Sequence, residues 1–429
     1  MNKTYQVYNS LKKKCYHAVK GQFAKNLITL GTGTILAQLI PIAASPILTR
    51  LYTPDQFGVF ANFNAILALL LVFFTGKYER AIILPKSHEK AINIVSLSFF
   101  IILFFTFITT ILFSFFGKSF AVFLNIPELT NWLWIIPLAA FLASTYLVVN
   151  EWFIRLGDFK GLVKNKLANT FGITMTSLTF GLANLNIGLV MGQISGQLFS
   201  VQFAVRKMFD KNIFKFITAL RIKYYAKKHV NFAKYLIPAQ LMNTVASQAP
   251  IFIITSQFGL LNAGVFAFTD RILSVPISFV GNSFRDVFKQ RAAVDFNKDG
   301  NCLKIYKKVT ITLVSISIIP FIILFITAPF LFSFIFGSEW YEAGVYGRYL
   351  CVMYFISFIS MPTSWVFVIA EKQKLDFLWQ VIFFVCTAIP ILIGVYVHDI
   401  SAFIISLSAG RSIAYLVQLR MTYILAKGK

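Results

Sequence analysis

Residues 48–61 read LTRLYTPDQFGVFA, and residues 254–267 read ITSQFGLLNAGVFA. At a constant offset of 206 positions, Thr49 matches Thr255, the run Gly58 to Ala61 matches Gly264 to Ala267, and Ile66 and Leu67 match Ile272 and Leu273. In the first copy Thr53, Pro54, Asp55 and Gln56 supply an N-cap, a proline at the first helical position, an acid in the first turn and a reciprocal capping glutamine. Arg50 stands at the end of the preceding segment, where a cation complements exposed helix carbonyls. Each copy predicts one helix ending at a tight corner and another beginning, so the chain is expected to contain two related halves.

The segments around these corners are apolar. Of 429 residues 57% are hydrophobic and 13% charged, and the mean hydropathy is +0.72, well beyond ordinary soluble domains. Uncharged runs repeatedly reach the ~20 residues that a helix needs to cross ~30 Å of hydrocarbon. Two stretches, 167–205 and 235–269, are long enough for two crossings each and have turn-like centres, GLANLNIG at 181–188 and FGLLNAG at 258–264. The expectation is an all-α polytopic membrane protein with twelve transmembrane helices in two six-helix bundles. They fall at 27–49, 57–76, 91–116, 132–154, 166–184, 187–205, 235–257, 262–284, 309–336, 345–370, 376–397 and 399–420. Pro41 and Pro46 interrupt the first span, and Pro238 and Pro250 the seventh, which marks both leading helices as places to bend.

The net charge of +24 raises the question of nucleic acid, and the distribution of the charge answers it. The termini and alternate connections hold 35 of the 40 Lys and Arg residues, the pattern of the positive-inside rule. Both termini are expected in the cytoplasm, with the excess charge facing anionic membrane lipids and no nucleic-acid partner. Nine basic residues in 206–234 separate six spans from six, dividing the chain into an N-terminal bundle with its basic leading segment (1–205), a basic linker (206–234) and a C-terminal bundle (235–429). With an even number of spans per half, the two repeats share one orientation, related by an axis near the membrane normal. The leading segment lacks the features of a cleaved signal peptide. Its Tyr8, Leu11, Cys15, Val19 and Phe23 recur at helical spacing, which leaves open a surface-lying amphipathic helix or a basic tail.

Catalytic signatures are missing from the chain. His17, His88, His229 and His398 have no metal-ligand spacing, and Gly117, Lys118 and Ser119 lack the upstream glycine of a phosphate-binding loop, Leu112 standing in its place. Cys15, Cys302, Cys351 and Cys386 form no CxxC pair, so neither a disulfide nor a metal site nor a cofactor is expected. Outer loops of at most about fifteen residues leave no room for an external catalytic domain.

Charges at membrane depth are few and therefore informative. A central charge costs on the order of 2.5–3.5 kcal/mol even on the lenient insertion scale, so it faces a partner or an aqueous cavity. Asp270, Arg271 and Arg411 are such residues. The neighbours Asp270 and Arg271 point about 100° apart on a helix, so at least one needs another partner. Glu151 and Arg155, at i and i+4 near the end of the fourth span, form either a helix-surface pair or part of a site. Two deep arginines against one aspartate suit an anion, and guanidinium matches phosphate oxygens. Trp152, Tyr146 and Trp365 are candidates to stack on sugar faces, whereas Trp132, Trp134 and Trp340 are expected in interfacial belts.

The passages LTRLYTPDQFGVFA, KYERAIILPKSHEKAINI (77–94), EWFIRLGDFK (151–160), GVFAFTDRIL (264–273) and FGSEWYEAG (336–344) resemble bacterial polysaccharide repeat-unit flippases, the Wzx-type O-antigen and capsule transporters. These belong to the multidrug, oligosaccharidyl-lipid and polysaccharide exporter superfamily. The resemblance implies two bundles around a cationic cavity in the inner membrane and a cargo of undecaprenyl-diphosphate-linked oligosaccharide. It also implies association with polysaccharide polymerase and chain-length machinery. The substrate-binding candidates are Arg50, Arg80, Arg155, Arg271 and Arg411, with Asp270 and Glu151 as candidates for ion coupling. A multidrug or cation antiporter of the same superfamily and a peptidoglycan-precursor flippase remain the alternatives.

Overall fold

The structure is a computed structural model that describes residues 29–85, 87–123, 126–208 and 213–428. The leading segment with Tyr8, Leu11, Cys15, His17, Val19 and Phe23 lies outside the described residues. The first half consists of α1 (Thr29–Leu51), α2 (Pro54–Phe74), α3 (His88–Phe123), α4 (Ile136–Leu156), α5 (Phe159–Leu182) and α6 (Gly188–Met208). A short helix α7 (Ala219–Lys228) lies in the linker. The second half consists of α8 (Ile237–Pro276), α9 (Asn282–Asp299), α10 (Leu303–Phe336), α11 (Tyr341–Thr363), α12 (Gln373–Val397) and α13 (Ile400–Ala426).

Among the described residues nine helical segments are long and apolar enough to cross a membrane, including one of 50 residues over Phe232–Gly281. That segment is divided at Gly259, whose φ of 89° and ψ of 169° break the helix in a conformation that glycine adopts without steric cost. At the offset of 206, Gly259 occupies the place of Thr53. The first corner is closed differently: Gln56 Oε1 accepts from the Thr53 N–H at 3.0 Å, and its Nε2 donates to Asn186 Oδ1 at 2.7 Å. The helix pair α5 and α6 matches the expected hairpin over 167–205, although its Asn, Lys and Gln residues keep it out of the nine apolar segments.

The halves meet along α2 and the second arm of α8, and the repeated glycines are the reason. A Cβ on Gly58 would run into the Leu260 carbonyl, and one on Gly264 into the Pro54 carbonyl. Helices cross this closely only where both present small residues. Beside the crossing, Asn62 Nδ2 donates to Thr255 Oγ1 at 2.7 Å, and Trp340 Nε1 donates to the Thr49 carbonyl at 3.0 Å. Trp340, expected at a membrane interface, is instead completely buried, with Phe57 and Phe268 against it at ring-centroid distances of 4.9 and 4.4 Å. The turn between α10 and α11 carries its indole into the seam, where its N–H finds a partner.

The linker is anchored on the first half. Asn93 Oδ1 accepts from the Thr218 N–H at 3.2 Å, Asn93 Nδ2 donates to the Phe216 carbonyl at 3.1 Å, and Tyr78 Oη donates to the Ala226 carbonyl at 3.0 Å. The end of the molecule that carries α7 is called the basic end below.

Candidate functional site

At the basic end a cavity of about 430 Å³ opens between the halves, within the size range of small-molecule sites. Lys77 and Arg80 line it from the first half, and Gln240, Asn243 and Gln380 from the second. The loop after α2 presents both cations: Lys77 adopts φ 61°, and the short turn Tyr78–Ala81 follows. Burial pushes the Lys77 ammonium below its ordinary value, and the charge of Glu79 opposes that shift.

Arg80 sits between two acids. Its Nε is 3.8 Å from Glu79 Oε1, and its Nη1 is 3.5 Å from Glu151 Oε1. These are loose contacts of an exposed guanidinium, each worth at most ~1 kcal/mol, so Arg80 keeps donors for a ligand. Glu79 is buried, with Oε2 lacking a partner among the described residues.

Arg155 does not pair with Glu151 as their spacing suggested. Its Nη1 donates to the carbonyls of Ile82 and Ile83 at 2.9 and 3.3 Å, and its Nη2 to that of Ser87 at 3.0 Å. The guanidinium braces the loop that presents Arg80, and Glu151 is left to Arg80.

A second cavity, of about 300 Å³, lies in the second half and shares Asn243 and Gln380 with the first. Trp379, Phe383 and Tyr415 form its aromatic wall, with centroids 5.6 Å apart for Trp379 and Phe383 and 5.6 Å for Phe383 and Tyr415. Trp379 Nε1 donates to the Ala414 carbonyl at 3.0 Å, which fixes the indole. Asp376 also lines this cavity, and Gln380 Nε2 donates weakly to its Oδ2 at 3.4 Å.

Arg411 lies behind this wall, 8% exposed. Its Nη2 donates to the Ala246 carbonyl at 2.9 Å and its Nε to Thr387 Oγ1 at 3.4 Å, and the guanidinium stands 5.6 Å from the Phe383 centroid. Asp270 accepts a short hydrogen bond from Tyr354 Oη and interacts electrostatically with Arg411. Arg271 points elsewhere, as the helical angle requires. It lies within the apolar segment Phe232–Gly281, is exposed, and makes no side-chain hydrogen bond or ion pair with the described residues. Arg50 is exposed beside the corner that precedes α2, at a distance from the other candidates along α2.

The predicted residues thus fall into three groups: Arg80 with Glu151 and Arg155 at the basic end, Asp270, Arg271 and Arg411 along the membrane-spanning helices of the second half, and Arg50 at the α1–α2 corner. Two of the three expected sugar-stacking aromatics are occupied elsewhere. Trp152 is buried against His88, and the Trp365 ring is covered by Lys289 Nζ at 3.8 Å. Sequence reasoning missed Lys77, Asp376, Trp379, Gln380 and Tyr415. A signal existed in Asp376, Trp379, Gln380 and Phe383, whose spacing of i, i+3, i+4 and i+7 puts polar and aromatic groups on one helix face.

Comparison with known proteins gives the chain its family. The model of the polysaccharide biosynthesis protein family matches residues 47–345. No curated protein sequence matches. Among solved structures, an inward-facing multidrug resistance MATE family transporter of the MOP superfamily aligns with a TM-score of 0.72 at 14% identity, covering 90% of this chain and 94% of that one. The lipid II flippase MurJ, in an inward closed conformation, aligns with a TM-score of 0.69 at 13% identity, covering 93% and 90%. An outward-facing MATE transporter of the same superfamily gives 0.61 at 15% identity, covering 94% of each chain. The chain therefore belongs to the polysaccharide biosynthesis protein family and has the all-α, multi-pass membrane fold of the MOP superfamily structures it aligns with.

Proposed function

We propose that this member of the polysaccharide biosynthesis protein family is a flippase for undecaprenyl-diphosphate-linked oligosaccharide repeat units. It would move them from the cytoplasmic to the periplasmic leaflet of the inner membrane for O-antigen or capsular polysaccharide synthesis. The observation that carries this reading is the cavity between the halves, where Lys77 and Arg80 face a wall of neutral amides. Cations that retain free donors suit a diphosphate, and amides suit the sugar attached to it.

The two arms of α8 count as separate crossings, and with α5 and α6 the nine apolar segments become twelve, six in each half. The positive-inside rule puts the basic end and both termini in the cytoplasm. The Gly58–Gly264 crossing then closes the periplasmic side while the cavities open inward, as alternating access requires of a cytoplasm-facing state. Arg271 is the deep cation available to cargo in transit, and Arg50 guards the outer mouth. Arg411 reaches cargo once the first arm of α8 moves, and Arg155 acts by holding the Arg80 loop. Asp270, or Glu151, is the coupling carboxylate in an ion-driven cycle. A membrane potential negative inside assists outward passage of the anion by about 2.3 kcal/mol per charge per 100 mV.

Arg271→Ala is the direct test in cells. Lipid-linked repeat units should accumulate on the cytoplasmic side while the amount of protein stays normal. Unchanged surface polysaccharide would overturn the role of Arg271 in cargo transit, and the same result for Lys77→Ala with Arg80→Ala would overturn the assignment of the cavity.

A further inference from the structure

The aromatic cavity of the second half has a chemistry distinct from that of the basic cavity it adjoins. Its wall is Trp379, Phe383 and Tyr415, and Trp379 is locked by its hydrogen bond to Ala414. Gln418 is only 2% exposed, and its Oε1 is taken by Ser360 Oγ, which leaves its amide N–H groups for the cavity. Asp376 is the one ionisable carboxyl in the lining. Sugar rings present an apolar C–H face to aromatic planes and hydroxyls to amides and carboxylates, and this cavity offers both partners. Asn243 and Gln380 join it to the cavity of Lys77 and Arg80.

We infer that the two cavities form a bipartite site: the diphosphate at Lys77 and Arg80, and the first sugar, an uncharged one, at Trp379, Tyr415, Gln418 and Asp376. The inference rests on the flippase reading and adds a selectivity to it. A carboxylate such as Asp376, half-buried in the first turn of α12, accepts hydrogen bonds from hydroxyl or acetamido groups and disfavours a second carboxylate beside it. The basic cavity contributes affinity common to every diphosphate cargo, whereas the aromatic cavity distinguishes among cargoes.

The test is calorimetric titration of the purified full-length protein in detergent with three probes: farnesyl diphosphate, farnesyl-diphospho-N-acetylglucosamine and farnesyl-diphospho-glucuronic acid. Wild-type protein should bind the acetamido probe about tenfold more tightly than farnesyl diphosphate, a difference of about 1.4 kcal/mol, and the sugar-acid probe less tightly than either. Trp379→Ala should bring the acetamido probe to within about twofold of farnesyl diphosphate without changing the latter, by the same affinity arithmetic. Asp376→Asn, an isosteric change that spares packing, should admit the sugar acid. The double variant Lys77→Ala and Arg80→Ala should weaken all three probes in parallel. A wild-type protein that binds farnesyl diphosphate but shows no preference for the sugar would overturn the subsite and leave the flippase reading standing. A preference that survives Trp379→Ala, or a sugar acid still excluded by Asp376→Asn, would also overturn it. Wild-type protein that binds none of the probes would overturn the flippase reading, and the subsite with it.

Discussion

Gly58 and Gly264 stand at equivalent positions of the two halves and fit against each other reciprocally. A Cβ on Gly264 would meet the carbonyl of Pro54, and a Cβ on Gly58 would meet that of Leu260, and Pro54 and Leu260 are themselves 206 positions apart. The contact is therefore close to symmetric between two unlike bundles. Isologous contacts of this kind arise naturally when two copies of one element meet about a two-fold axis.

Gly264→Ala should destabilise the protein by about 1–3 kcal/mol, the usual cost of forcing a methyl group into a packed contact. Thermal or denaturant unfolding in detergent measures it. Thr255→Cys in the Gly264→Ala background should also react faster with a membrane-impermeant thiol reagent than in the parent, because the seam is forced apart.

Trp340→Phe removes the indole N–H that satisfies the Thr49 carbonyl while retaining a ring in the seam. The expected loss is about 1–3 kcal/mol for a buried acceptor left without its donor, measured by the same unfolding assay. An unchanged midpoint would contradict the seam assignment.

Arg155→Ala should expose its effect through the loop it braces. The carbonyls of Ile82 and Ile83 lose their donor, and that of Ser87 keeps only the Ala91 N–H, so hydrogen exchange should rise over 82–90 and transport should fall. Arg155→Lys should rescue only in part, because an ammonium cannot reproduce the fork.

Arg271 and Arg411 should behave differently in stability even where both reduce transport. Arg271 makes no side-chain bond with the described residues, so Arg271→Ala should remain within about 0.5 kcal/mol of wild type. Arg411→Ala leaves the buried Ala246 carbonyl unpaired and should cost about 1–3 kcal/mol.

Lys77 predicts a pH dependence. Burial lowers its pKa in the folded protein, so between the folded and unfolded values the unfolded chain binds more protons and stability rises with pH across that window. The ammonium is the form that attracts an anion, so affinity for farnesyl diphosphate should fall as pH rises through the lowered value. Lys77→Arg should abolish that fall. A wild-type affinity that stays flat up to the ordinary lysine range would contradict the burial of Lys77.

The corner at residues 48–61 was legible because capping chemistry is local: Thr53, Pro54 and Gln56 act within one turn of each other. Its partner at 254–267 was legible through the repeat, even though the break at Gly259 uses a glycine conformation in place of a cap. What was not legible depends on contacts far apart in the chain. Trp340 reaches Thr49 across 291 positions, and nothing near Trp340 distinguishes a seam residue from an interfacial belt. Arg155 and Glu151 have the spacing of a local pair, yet each bonds to the 79–87 loop: the carbonyls of Ile82, Ile83 and Ser87 take the Arg155 guanidinium, and Glu151 is left to Arg80. The aromatic cavity needed α8, α11, α12 and α13 together, although the Asp376 face of α12 held half of it.

Reconstitution in liposomes tests the central claim most directly. Purified protein is incorporated with a polyprenyl-diphosphate-linked oligosaccharide, and the fraction of cargo in the outer leaflet is followed by its accessibility to a membrane-impermeant glycosidase. The account predicts that wild-type protein exchanges the cargo between leaflets, that Lys77→Ala with Arg80→Ala loses most of that rate, and that Arg271→Ala loses it without loss of folded protein. Absence of exchange by wild-type protein, or equal rates in all three proteins, would contradict it.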